Sequence, residues 1–186
     1  MKEKLKKLII KKRRSDYILY TLVIFAGVFL DQLTKFLAVK FIEPVGDIPI
    51  IEEVLHLEFY TNPGAAFGSM ADKPYIFKTM SVIIIIGMLL YLYLGYAESV
   101  LSGIACAMII SGGIGNMIDR TLYGEVTDFI SFRLIDFAIF NGADSFVCVG
   151  AGLLVLALIL EIKKEREKIK AEKENKEKET EEGKEG

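Results

Sequence analysis

The chain has 186 residues, is 52% hydrophobic and carries a formal net charge of −2. Its apolar residues gather into four long stretches between strongly charged ends, a distribution that reads as membrane spans and excludes a single soluble core. The basic residues are terminal or scattered, so no nucleic-acid partner is expected.

Residues 1–14 form a basic block. The apolar stretch behind it is too long for a secretory signal and lacks a small-residue cleavage pattern. The block is therefore read as holding the N-terminus in the cytoplasm by the positive-inside rule. The first expected span covers residues 17–39, with Tyr17 and Tyr20 suited to a lipid–water interface. Its far end reads Asp31-Gln32-Leu33-Thr34-Lys35. Asp31 and Lys35 stand at i and i+4, on one helix face. Either the pair closes the helix end, or it supports a polar site; the local pattern leaves both readings open.

Residues 41–73 differ in kind. Pro44, Gly46 and Pro49 break helix. The partial alternation Leu55-His56-Leu57-Glu58-Phe59-Tyr60 points to a small sheet on the outer membrane surface. Thr61-Asn62-Pro63-Gly64-Ala65-Ala66-Phe67-Gly68 is read as a loop whose small residues let another backbone approach. His56 is the only histidine and reads as a surface or strand residue, since alone it makes neither a zinc site nor a triad.

The second span is expected over residues 75–96 and the third over 100–118. The short link between them forces an antiparallel hairpin. The third span is rich in Gly, Ala and Ser, which favours close helix packing in lipid. It runs into Gly115-Asn116-Met117-Ile118-Asp119-Arg120, whose glycine spacing is wrong for a dinucleotide fingerprint. Residues 121–140 read as a second outer segment and 141–162 as the fourth span. Cys106 and Cys148 fall inside apolar stretches and read as small buried hydrophobes. Residues 163–186, almost wholly Lys and Glu, are expected to be a solvated helix fraying into a disordered cytoplasmic tail.

Two aspartates stand out. Asp128 lies in Val126-Thr127-Asp128-Phe129, and Asp144 lies in Phe140-Asn141-Gly142-Ala143-Asp144-Ser145. The plain reading is a pair of unrelated helix caps. The functional reading is a carboxylate pair that activates water, because an ionisable group at membrane depth marks a site by default. Four spans with both ends inside place Asp31, Asn62, Asn116, Arg120, Asp128, Asn141 and Asp144 at one face. No metal is expected, since no His-Glu-x-x-His run exists, and no cofactor. The rival from another class is a small ion or proton-coupled transporter subunit, whose charges would line a path between both faces. A passive scaffold, for which both carboxylates would be dispensable, is the third.

Taken together and in order, these five motifs resemble those of lipoprotein signal peptidase, the bacterial signal peptidase II family of membrane aspartic proteases, over about residues 17–162. The resemblance implies an all-α polytopic protein of four transmembrane helices with a small extracytoplasmic β-cradle and loop. Residues 1–162 would form one membrane-embedded peptidase domain. It implies an aspartic endopeptidase that removes the signal peptide from diacylglyceryl-modified prolipoproteins by cleaving before the lipidated cysteine. The family's catalytic dyad maps onto Asp128 and Asp144, with neither assigned as acid or base. Substrate-binding or dyad-supporting roles map onto Asp31, Lys35, Asn62, Gly64, Asn116, Arg120 and Asn141, and a structural role onto Asp119. Expected partners are the lipid-modified prolipoprotein and membrane lipid, for a monomer in the bacterial inner membrane with both termini cytoplasmic and the site near the extracytoplasmic face. Gly113, Thr127 and Ala138 depart from residues frequent in the family, and none is expected to touch a carboxylate.

Overall fold

The computed structural model describes residues 14–64, 74–135 and 137–182, and the side chains of 14–64, 78–135 and 137–174 among them. The basic residues 1–13 and the loop residues Ala65 to Gly68 lie outside the described residues.

Helix α1 (Arg14–Leu37) continues into a π-helical turn (Ala38–Ile42). Strands β1 (Asp47–Ile51) and β2 (Leu55–Asn62) follow as an antiparallel pair. Helix α2 (Pro74–Tyr93) ends earlier than the expected 96, for a local reason. Gly95 adopts φ +86°. The Tyr96 N–H reaches the Tyr91 carbonyl at 3.1 Å and the Gly95 N–H reaches Leu92 at 3.3 Å. This is a Schellman stop, and the stacking of Tyr91 on Tyr96 supplies its apolar contact.

Helix α3 (Val100–Leu122) opens on a capping box in which Ser99 and Ser102 satisfy each other's backbone N–H groups. It is the central helix, packed on α1, α2 and α4. Its small residues allow this. A Cβ on Gly103 would strike the Tyr20 ring, one on Gly112 the Ala143 carbonyl, and one on Gly115 the Asp31 carboxylate. The apolar core around Tyr20, Leu92, Cys106 and Ile110 sits towards the other end of the bundle from Asp31 and Lys35.

Strand β3 (Val126–Phe132) completes a three-stranded antiparallel sheet, ordered β1-β2-β3. Residues 121–140, read from sequence only as an outer segment, thus contribute a sheet strand. The pairings Tyr60 with Asp128 and Asn62 with Val126 set its register. A short 3-10 turn (Arg133–Ile135) leads towards α4 (Gly142–Glu182).

Among the described residues, three helical segments are long and apolar enough to cross a membrane: Arg14–Ile42, Val100–Leu122 and Gly142–Glu174. The apolar stretch in α2, Lys78–Tyr93, is shorter. The charged run read as a solvated helix fraying into a tail is helical to Glu182. Lys and Glu are good helix formers, and their spacing brings opposite charges together along the helix. Lys168 pairs with Glu165 and Lys170 with Glu174. One correction concerns Cys148, which is exposed, whereas Cys106 is buried. His56 lies in β2, buried, with Nδ1 2.9 Å from Asp47.

Candidate active site

The backbone between β3 and α4 explains how two aspartates distant in sequence meet. The N–H groups of Phe129 and Ile130 both donate to the Phe140 carbonyl, at 3.1 and 2.8 Å, and Phe140 donates back to Ile130 at 3.0 Å. This clamp lays Phe140 against the strand that carries Asp128. The next residue, Asn141, is the N-cap of α4. Its Oδ1 accepts the Asp144 N–H at 3.0 Å, while the Asp144 carboxylate accepts the Asn141 N–H at 3.2 Å. That is a capping box, so Asp144 is in part the helix cap that the plain reading anticipated. The same Asn141 side chain also donates from Nδ2 to Asp128 Oδ1 at 2.6 Å. One fully buried amide therefore holds both aspartates.

Each carboxylate takes two N–H donors. Asp128 Oδ2 accepts from Asn62 Nδ2 at 3.0 Å, and Asn62 is fixed in turn because its Oδ1 accepts the Gly64 N–H at 3.0 Å. Asp144 Oδ1 accepts from Asn116 Nδ2 at 2.8 Å. Asp128 is 1% exposed, and that burial pushes its carboxyl up to about 6; the negative charge of Asp144 adds to the rise, against the amides of Asn62 and Asn141.

Behind the pair lies a buried ionic cluster. Lys35 Nζ is 2.9 Å from Asp31 and 3.0 Å from Asp119. It also donates to Asn116 Oδ1 at 2.9 Å. Asp31 accepts the Ala143 N–H at 2.8 Å, which ties α1 to the start of α4. Asp119 accepts the Thr127 N–H at 3.2 Å, which ties α3 to β3 beside Asp128 and corrects the expectation that Thr127 touches no carboxylate: the contact is made by its backbone. Asp31 and Lys35 thus form an i,i+4 ion pair that lies behind the two aspartates. Arg120 donates to the Gly64 carbonyl at 3.3 Å.

Asp128, Asp144, Asn62, Asn116 and Arg120 line one cavity of about 530 Å³, whose remaining wall is mostly apolar, including Phe137, Ile139 and Val149. All the predicted polar residues are thus brought to one end of the bundle. Three contributors escaped the sequence reading. Gln32 bridges Asp31, the Gly115 carbonyl and Asp119 from Nε2 at 2.9–3.2 Å; its position beside Asp31 was the available signal. Cys148 and Val149 line the cavity about one turn beyond Asp144, which the i,i+4 spacing signals for Cys148.

The model of a family described as signal peptidase (SPase) II matches residues 23–160. The chain belongs to the signal peptidase II family. The lipoprotein signal peptidase of Caldanaerobacter subterraneus subsp. tengcongensis is 45% identical over 124 residues, covering 67% of this chain and 84% of that protein. That of Bacillus subtilis is 38% identical over 144 residues, covering 76% and 94%. A bacterial membrane enzyme solved by the in meso method at 2.3 Å superposes with a TM-score of 0.69 at 31% identity, covering 77% of this chain and 89% of that one. This signal peptidase II relative is accordingly a protease, and these likenesses give the transporter reading no support.

Proposed function

We propose that the chain is the membrane aspartic endopeptidase that removes signal peptides from diacylglyceryl-modified prolipoproteins, cleaving before the lipidated cysteine, with Asp128 and Asp144 as its catalytic dyad. The observation that carries this reading is the shared residue Asn141: its side-chain amide donates to the Asp128 carboxylate and accepts the Asp144 backbone N–H, its own backbone N–H donates to the Asp144 carboxylate, and both aspartates line one cavity. Two carboxyl groups close enough to influence each other do not both ionise readily, and the pair shares one proton. The ionised member takes a proton from water as the water oxygen bonds to the scissile carbonyl carbon. The protonated member gives its proton to the carbonyl oxygen. In the second half the first member returns its proton to the leaving nitrogen as the C–N bond breaks. The second regains a proton from the diol hydroxyl, leaving a carboxylic acid and an amine. Arg120 and Asp119 hold the surrounding backbone, and Asn62 and Gly64 form the rim beside the substrate.

Four crossings with both ends cytoplasmic fit the molecule. Lys163, Lys164 and Arg166 follow the apolar part of α4, and the basic block precedes α1. The ends of α1 and α3 and the start of α4 meet at the site, which supports a location near the extracytoplasmic face of the inner membrane. α2 completes the fourth crossing. The unit is read as a monomer, needing no cofactor or metal and no nucleic acid. The apolar cavity wall suits the acyl part of a lipidated substrate.

The test is cleavage by purified protein in detergent of a diacylglyceryl-modified prolipoprotein and of the same precursor without lipid. Cleavage of the lipidated form alone, unaffected by a metal chelator, is expected. Equal cleavage of both forms would refute the substrate class, and failure on both would refute the peptidase reading.

A further inference from the structure

The two aspartates are held by different machinery, and the difference assigns their roles. Lys35 is 4% exposed and its ammonium has three partners: Asp31, Asp119 and Asn116. An ammonium has three protons and no lone pair. The atom of Asn116 that faces it must therefore be the oxygen. That turns the Asn116 NH₂ group onto Asp144 Oδ1, at 2.8 Å. Asn116 Oδ1 also accepts from Asn141 Nδ2 at 3.0 Å. Two donors on the amide oxygen, one of them cationic, polarise the amide and strengthen the N–H it offers to Asp144.

Asp144 has two further advantages. It sits in the first turn of α4, where the helix N-terminus favours negative charge. Its second oxygen accepts the Asn141 N–H. Asp128 lacks this backing. It too takes two amide donors, Asn141 Nδ2 at 2.6 Å and Asn62 Nδ2 at 3.0 Å, but neither amide oxygen faces a cation: Asn62 Oδ1 accepts the Gly64 N–H and Asn141 Oδ1 the Asp144 N–H. The charged groups facing the pair are Asp31 and Lys35 from α1, Asp119 and Arg120 from α3, and the two aspartates themselves. Asp31 and Asp119 balance Lys35 and Arg120. What the cluster passes on is thus a fixed donor orientation, not a net positive field.

We infer that Lys35 acts through Asn116 as a positioning residue that keeps Asp144 the ionised, water-activating member of the pair and leaves the shared proton on Asp128. This rests on the peptidase reading above. In the first half-reaction Asp144 then accepts the proton of the attacking water while Asp128 protonates the carbonyl oxygen. In the second, Asp144 protonates the leaving nitrogen and Asp128 recovers a proton from the diol.

Asn116→Asp tests this with little change in shape. The new carboxylate keeps an oxygen on Lys35 and Asn141 but turns an oxygen, not an N–H, onto Asp144. The acid limb of kcat/KM for a lipidated prolipoprotein should move up by about one pH unit or more, because the base loses a donor and gains a like charge. Lys35→Arg, also donor-only, should leave that limb where the wild type has it. An unmoved limb in Asn116→Asp, or a rise in KM alone as a plain substrate contact would give, overturns the inference. If Asn116→Asp turns over no substrate, an infrared carboxyl titration of the folded protein decides, with the Asp144 band identified by its loss in Asp144→Asn. An upward shift of that band supports the relay, and an unshifted band overturns it. A wild-type protein that cleaves no precursor sinks the peptidase reading separately, and the titration still judges the relay.

Discussion

Asn141 is the residue whose replacement should separate folding from chemistry. Its side chain caps α4, donates to Asp128 at 2.6 Å and donates to Asn116 at 3.0 Å, all while fully buried. Asn141→Ala removes the cap, at about 1 kcal/mol. It also takes a donor from a buried carboxylate, at about 1.5–3 kcal/mol. The expected total is roughly 2–4 kcal/mol of stability. Asn141→Ser retains a cap oxygen but cannot reach Asp128 with an N–H, so it should recover about 1 kcal/mol of the loss. If the amide organises the pair, activity should not recover with it. A lost donor of 1.5–3 kcal/mol at the reacting group lowers kcat by roughly 10- to 100-fold in both variants. The assay is thermal unfolding in detergent beside initial cleavage rates. Serine restoring both stability and rate would show that Asn141 is only a helix cap, and the shared-amide argument would be wrong.

Other expectations follow from the same contacts. Asp128 binds its proton more tightly folded than unfolded, since its carboxyl is raised from 3.8 to about 6. Stability from this group is complete below about 3.8 and is lost as pH rises to about 6, a drop of about 3 kcal/mol at 1.36 kcal/mol per unit. Asp128→Asn should flatten that part of the melting-temperature profile, and an unchanged slope would contradict the assignment. Lys35→Met leaves Asp31 and Asp119 buried without their cation, a cost of about 3–5 kcal/mol, so little folded protein should be recovered by size-exclusion chromatography. Gly115→Ala drives a methyl group into the Asp31 carboxylate and should cost about 1–3 kcal/mol, whereas Gly87→Ala meets nothing within 4 Å and should be neutral or slightly stabilising. Equal melting temperatures for these two glycine variants would refute the close packing of α1 on α3.

The polar motifs were legible because expensive groups at the ends of apolar stretches have few uses. Asp31, Lys35, Asn116 and Asp119 declared themselves in that way, and topology alone gathered them at one face. Their specific duties were not legible. Which way an amide points depends on donors from three other elements, and no spacing rule encodes the Lys35–Asn116–Asp144 chain. The Phe140 clamp on β3 was hidden because residues 133–140 have neither strand alternation nor helical period. Gly115 looked like general small-residue packing, whereas its lack of a side chain specifically makes room for Asp31. The charged end of α4 was legible as a solvated helix, but composition alone does not say how far it runs; it reaches Glu182, with Lys–Glu pairs at i,i+3 and i,i+4 along it.

The central claim is that Asp128 and Asp144 form one catalytic unit. Its most direct test is the cleavage rate of diacylglyceryl-modified prolipoprotein by Asp128→Asn and by Asp144→Asn, each first shown to be folded. The account expects both to fall at least about 10³-fold, with the double variant little worse than either, since residues acting as a unit are non-additive. Near wild-type cleavage by either single variant would contradict it.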